Sequence, residues 1–134
     1  METISISSDI KNIPIAINFV NLYLKKYNLD FSRKADVVFD EILSNISKYS
    51  YKDYSGIINI CCDYEELSKT LILKFIDSGI TFNPLDSSLI DTDVSIENRY
   101  PGGLGIFIVK CIMDEINYNR HLNKNVLTLK KFFK

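Results

Sequence analysis

The chain has 134 residues, and its 16 Lys and Arg against 17 Asp and Glu leave a formal charge of −1. With 46% hydrophobic and 25% charged residues, its length and composition suit one globular core and argue against a disordered chain. The near-neutral charge gives no basic footprint for nucleic acid, and the single histidine, His121, leaves little scope for imidazole chemistry. Cys61, Cys62 and Cys111 are odd in number, form no CxxC and sit among Ile and Leu. They read as buried, reduced thiols rather than a disulfide framework. The N-terminal METISISSDIKN lacks the charged flank and apolar run of a secretion signal. No apolar stretch approaches the ~20 residues of a membrane span, so a soluble, cytoplasmic protein is expected.

In chain order, Ile4 and Ile6 alternate with polar residues and predict a short first strand. Asn12-Ile13-Pro14 predicts a helix start, and Ile13, Ile17, Val20, Leu24 and Tyr27 share one face behind it. After a break at residues 28–31, Ser32 is placed to cap a second helix, whose stripe is Ala35, Val38, Phe39, Ile42, Ile46 and Tyr49. Strands are predicted at about 57–64 and 70–76, paired as an antiparallel hairpin through the polar turn 65–69. From Asn83 to Tyr100 no period emerges, and a connection of this length is expected to be a functional lid. Leu104, Phe107, Ile108, Cys111 and Ile112 predict a third helix. Closing strands near 116–120 and 126–132 follow, joined by residues 121–125. The expected fold is one α+β domain over residues 1–134, a two-layer sandwich of a mixed, mostly antiparallel sheet with helices on one face.

Three stretches carry chemistry. On the second helix, at ~100° per residue, Glu41, Asn45 and Lys48 share one strip bordering the apolar stripe. A carboxylate there can act as a general base, an amide oxygen can hold a hard cation such as Mg²⁺, and an ammonium can meet phosphate. Polar residues flank the stripe of any amphipathic helix, so this strip is also ordinary surface. Asp77-Ser78-Gly79 ends an apolar strand, where an acid can read a ligand and Gly79 allows positive φ or a close backbone approach. The same three residues form a common strand-ending turn. Pro101-Gly102-Gly103-Leu104-Gly105 opens directly into the third helix. Glycines there expose N–H groups to an anion, or serve simply as a hinge. The segment lacks the Lys-Ser/Thr ending of a P-loop, and Ile108 stands where a dinucleotide fingerprint has its third Gly.

Taken in order, these stretches resemble the ATP-binding fold shared by gyrase, chaperone, histidine kinase and mismatch-repair ATPases. Within that histidine-kinase-like superfamily the sequence is most similar to the bacterial anti-sigma-factor serine kinases, over about residues 4–131. Glu41-Ile42-Leu43-Ser44-Asn45 matches the family's N box, and Asp77 to Pro84 matches the box that follows. Gly103 to Lys110 matches the glycine box, and Asn125-Val126-Leu127-Thr128-Leu129 resembles the closing strand. Where the family often has a histidine eight residues after the catalytic Glu, this chain has Tyr49.

The resemblance implies a Bergerat-type ATP-binding fold with Glu41 as the catalytic base and Asn45 as the Mg²⁺ ligand. It implies that Asp77 accepts a hydrogen bond from the adenine amine, with Gly79 and Phe82 beside it and Thr128 helping to position the base. Gly102, Gly103, Leu104 and Gly105, together with Lys48, are then expected at the phosphates, under a lid at about 83–100. The implied activity is an anti-sigma factor's ATP-dependent serine kinase reaction, carried out by a homodimer on an antagonist protein with an acceptor serine. A sigma factor would be the regulatory target. Two alternatives stay open at this stage: an ATP-binding module that sequesters a regulator without phosphorylating it, and an ATPase switch that passes phosphate to water.

Overall fold

The computed structural model describes residues 1–86 and 102–134, without the side chains of 102–104. Its elements run β1 (Glu2–Ser7), a 3₁₀ turn (Ile10–Asn12), α1 (Ile13–Lys26), α2 (Ser32–Asn45) and a π-helical turn (Ile46–Ser50). They continue with β2 (Ile57–Glu65), β3 (Thr70–Asp77), α3 (Gly102–Ile112), β4 (Glu115–His121) and β5 (Lys124–Phe132). The sheet order is β1-β2-β3-β5-β4, and all four pairings are antiparallel. Most of the predicted lid lies outside the described residues; within it, Asn83 to Asp86 form a turn closed by the Asp86 N–H on the Asn83 carbonyl. Among the described residues no helix is long and apolar enough to cross a membrane.

The strand alternation sets the layers. Ile58, Ile60 and Cys62 of β2, Leu71, Leu73 and Phe75 of β3, and Leu127 and Leu129 of β5 are buried beneath the helices. Against them α2 lays Ala35, Val38, Phe39, Ile42 and Leu43, and Phe39 meets Phe75 edge to face at 4.9 Å. Burying each large apolar side chain contributes about 1.5–3 kcal/mol, so α2 is held by its stripe rather than by its caps. The same parity carries Asp77 and Asn125 to the buried face, where they are direct partners across β3 and β5.

The helix ends explain two departures from expectation. α1 closes in a Schellman arrangement: Asn28 takes φ 54°, and the Leu29 N–H reaches back to the Leu24 carbonyl at 2.9 Å. Ser32 does not cap α2. Phe31 takes the cap position, anchored by burial and by an edge contact with Phe133 at 5.7 Å, which makes Ser32 the first helical residue.

α3 also differs from the expected register. It begins at Gly102, so the glycine segment forms its first turn rather than a loop before it. Among its described side chains Ile106 and Val109 are buried, as is Met113 just past its end, whereas Phe107, Ile108 and Cys111 are exposed. Only Cys62 of the three expected buried thiols is fully inside; Cys61 is half-buried on the opposite face of β2. The β4–β5 connection is tighter than residues 121–125, a two-residue turn at Leu122 and Asn123, both at positive φ.

Candidate functional site

Between the C-terminal end of α2 and the adjoining ends of β3 and β5 lies a cavity of about 20 Å³, room for little more than one water. Its lining includes Asn45, Ser50, Asp77, Phe82, Tyr118 and Asn125. The π-helical turn brings Ser50 there: α2's register widens after Asn45, and Ser50 is buried completely. Its carbonyl accepts the Ile80 N–H at 2.9 Å. Gly79 lies so close to this carbonyl that an added Cβ would collide with the Ser50 backbone. Gly79 does not have positive φ. Close approach is therefore what position 79 demands, of the two possibilities its sequence left open.

Asp77 is 3% exposed. Its Oδ1 accepts the Gly79 N–H and the Asn125 amide, each at 2.9 Å. Burial pushes its carboxyl above the ordinary carboxylate value, while Asn125, the Gly79 N–H, Arg120 and Ser50 pull it back. The turn after Asp77 is fastened on both sides. Arg120 Nη1 donates to the Gly79 carbonyl at 2.9 Å, and the Ser78 N–H donates to the Tyr51 hydroxyl at 2.7 Å. Phe82 joins through its N–H to Asn125 Oδ1 at 3.2 Å, and its ring stacks on Tyr49 at 5.1 Å.

Toward α3 the site changes character. Glu41 is half-buried, and burial pushes its carboxyl up. The Asn45 amide and the Lys48 ammonium draw it down, and the charge of Asp40 adds to the rise. Asn45 is buried at 4% exposure, and its Nδ2 lies near enough to favour the Glu41 charge but completes no hydrogen bond among the described residues. Gly105, in the first turns of α3, backs directly onto the Glu41 carboxylate, which fills the space a Cβ would take. Lys48 is exposed on the π-helical turn. The first N–H groups of α3, from Gly102 onward, have no intrahelical partner by the geometry of a helix start, and this suits an anion.

The structure thus brings together Glu41, Asn45 and Gly105 at one end and Asp77, Gly79 and Phe82 at the other. The backbone of Gly102, Gly103 and Leu104 continues from Gly105. Thr128 is not brought to the cavity. It pairs with Lys74 and Asn117 and faces the sheet's open side, because β5 buries its odd-numbered residues. Asn125, which shares the parity of Leu127 and Leu129, is the polar β5 residue that lines the cavity. Ser50, Tyr118 and Arg120 were also missed. Tyr118 and Arg120 sit on β4 among residues whose alternation marks a half-buried strand but no function.

The site therefore groups an acid-ended strand, a carboxylate-amide helix strip and a glycine helix start. Residues 6–131 match the histidine kinase-like ATPase domain, and the chain belongs to that family, whose ATPase fold implies ATP binding. The chain is similar to the serine-protein kinase RsbW of Staphylococcus aureus, 29% identical over 119 residues, covering 78% of this chain and 74% of the relative. Among solved structures it resembles the histidine kinase AdeS of Acinetobacter baumannii, with TM-score 0.54, 15% identity, and coverage of 98% of this chain and 68% of that one. It also resembles the histidine kinase domain of the Erythrobacter litoralis EL346 blue-light activated kinase, with TM-score 0.53 and 17% identity. That match covers 75% of this chain, which spans 43% of the length of that kinase chain. The α+β sandwich expected from the sequence is the fold observed.

Proposed function

We propose that this chain is an ATP-dependent serine protein kinase acting as an anti-sigma regulatory factor, built as one ATP-binding domain with residues 83–100 as its lid. The observation that carries this reading is Glu41: a carboxylate half-sheltered against Gly105 at the start of α3, with the Asn45 amide one turn along α2. A site for binding alone has no need of a base at that point. The likeness to the serine-protein kinase RsbW, together with the four sequence boxes, supports serine as the acceptor.

In this reading Asp77 orients the adenine, and the N–H groups of Gly102 to Gly105 with Lys48 face the phosphates. Glu41 accepts the proton of a serine hydroxyl on an antagonist protein as the γ-phosphoryl is transferred. Its raised carboxyl brings its basicity nearer to neutrality than an exposed glutamate has. Asn45 fits a Mg²⁺ site through its side-chain oxygen, a hard ligand, while its buried Nδ2, unpartnered among the described residues, is a donor suited to a phosphate or water oxygen beside the ion. Bound there, the ion would supply charge neutralisation at the phosphates. Phosphorylation adds about two negative charges to the antagonist and releases it. A homodimer and a sigma-factor target follow from the resemblance.

The test is transfer of label from γ-labelled Mg·ATP to the antagonist, with Glu41→Ala beside wild type. Wild type should label antagonist serine, and the variant should lose about 10²–10⁴-fold in rate while still binding ATP. Transfer at the wild-type rate by Glu41→Ala would refute the assignment of the base.

A further inference from the structure

Asn125 has two N–H donors and one carbonyl oxygen with two lone pairs, and all four positions are taken. Nδ2 donates to Asp77 Oδ1 at 2.9 Å and to the Ile80 carbonyl at 2.8 Å. Oδ1 accepts the Tyr118 hydroxyl at 2.5 Å and the Phe82 N–H at 3.2 Å. Reversing the amide would set its oxygen against a carbonyl and a carboxylate and its nitrogen against two donors, so one orientation is enforced. The side chain is 3% exposed, where such mismatches are costly. Both N–H donors to the Asp77 carboxyl, from Asn125 and Gly79, converge on Oδ1. Oδ2 takes neither of these N–H groups, and the Ser50 hydroxyl lies beside the carboxyl; Asp77 itself lines the cavity.

We propose that Asn125 is the positioning residue that sets base specificity: it holds Asp77 as a hydrogen-bond acceptor in one orientation, so that the cavity reads a purine bearing a 6-amino group and rejects a 6-oxo purine. This rests on the ATP-binding reading and deepens it. An amine donates to Oδ2, whereas a 6-oxo oxygen placed there meets a second acceptor. Without Asn125, Asp77 loses a neighbour that favours its charged form and takes up a proton at higher pH. A protonated carboxyl donates, and donation suits the 6-oxo group. Among the described residues, the titratable and charged groups around Asp77 are Arg120 and Tyr118 from β4 and Tyr51 from the segment after the π-helical turn. These remain in the variant, and the Ser50 hydroxyl remains beside the acid.

The experiment is calorimetric titration of the whole chain with ATP and with ITP, which differ at the purine 6-position, from about pH 5 to pH 8. Wild type should prefer ATP by roughly 30-fold or more. In Asn125→Ala the preference should fall to about threefold or less, and ATP affinity should begin to drop at a higher pH on acidification. Tyr118→Phe removes one bond to Asn125 Oδ1 and should move both readouts the same way by a smaller step, which serves if Asn125→Ala does not fold. Equal weakening toward both nucleotides, with an unchanged ratio and pH profile, would show a merely structural role and overturn the proposal. Wild type that binds ATP and ITP alike would overturn it while leaving the ATP reading intact. Wild type that binds neither would remove both.

Discussion

Around Asp77 the polar atoms are paired and the backbone is fastened; beside Glu41 and Asn45, among the described residues, the pairing is incomplete. Asp77, Asn125, the Ser50 carbonyl and the Gly79 N–H are closed into one network. Among the described residues Asn45 Nδ2 has no hydrogen bond, and the Glu41 carboxylate packs against Gly105. A group that recognises is most selective when its geometry is set before the ligand arrives. A group that handles transferring charge needs atoms whose partners come with the substrate. On the proposed reading, the contrast is a division of labour between a preformed base reader and a phosphoryl-transfer site whose partners come with the substrate.

Gly105→Ala should break the Glu41 end most sharply. Alanine is the better helix former by about 1 kcal/mol, and its methyl meets only the flexible end of Glu41, so the melting temperature should hold or rise. The displaced carboxylate should nevertheless lower phosphoryl transfer by about 100-fold. A stable variant with the wild-type rate would show that the packing of α3 on Glu41 does not set the base's position.

Asp77→Asn tests the other end by separating stability from recognition. Asp77's carboxyl is raised in the folded chain, so between the ordinary value of about 3.9 and the folded value the native state binds more protons than the unfolded one. Stability from this group is thus greatest in acid and is lost as pH climbs through that window. Glu41 acts in the same direction. The variant does not ionise, and its amide oxygen can still accept from Asn125 and Gly79. It should melt a few degrees above wild type at pH 7, with the gap closing toward pH 4. ATP affinity should fall about 10- to 100-fold, since an amide offers the adenine amine a weaker acceptor. A variant less stable than wild type at pH 7 would mean the network supports the charge rather than tolerating it.

How much of this was legible in the sequence depends on the kind of signal. The strip of Glu41 and Asn45 and the acid ending β3 were visible because helical and strand periods fix faces. The expectation at Thr128 came from the resemblance of the closing strand to the family's. Its parity with Lys130 rather than Leu129 already put it on the open face. The depth of Ser50 was not legible, because a π-helical turn adds a residue to the register and shifts everything after Asn45. Cys111 misled for a related reason. α3 is apolar on several sides, so hydrophobicity alone could not choose Ile106 and Val109 over Phe107 and Ile108 as its buried face. No local pattern announces the long-range bonds that make Asn125 a hub, which join segments about 45 residues apart.

The smallest expected effect concerns Lys48, and it sharpens the comparison because it acts on one end only. Its ammonium is exposed, yet it favours the charged form of Glu41. Lys48→Ala should therefore raise the Glu41 carboxyl further and move the acid limb of the pH–rate profile upward, costing about threefold in rate near neutrality and more below it. The ATP/ITP preference, set at Asp77 and Asn125, should stay as in wild type. An exposed charge is screened by salt, so the difference between Lys48→Ala and wild type should shrink as ionic strength rises. A shift in base preference without a shift in the pH–rate profile would reverse the assignment, placing the influence of Lys48 at the reading end and leaving Glu41 governed by burial, Asn45 and Asp40.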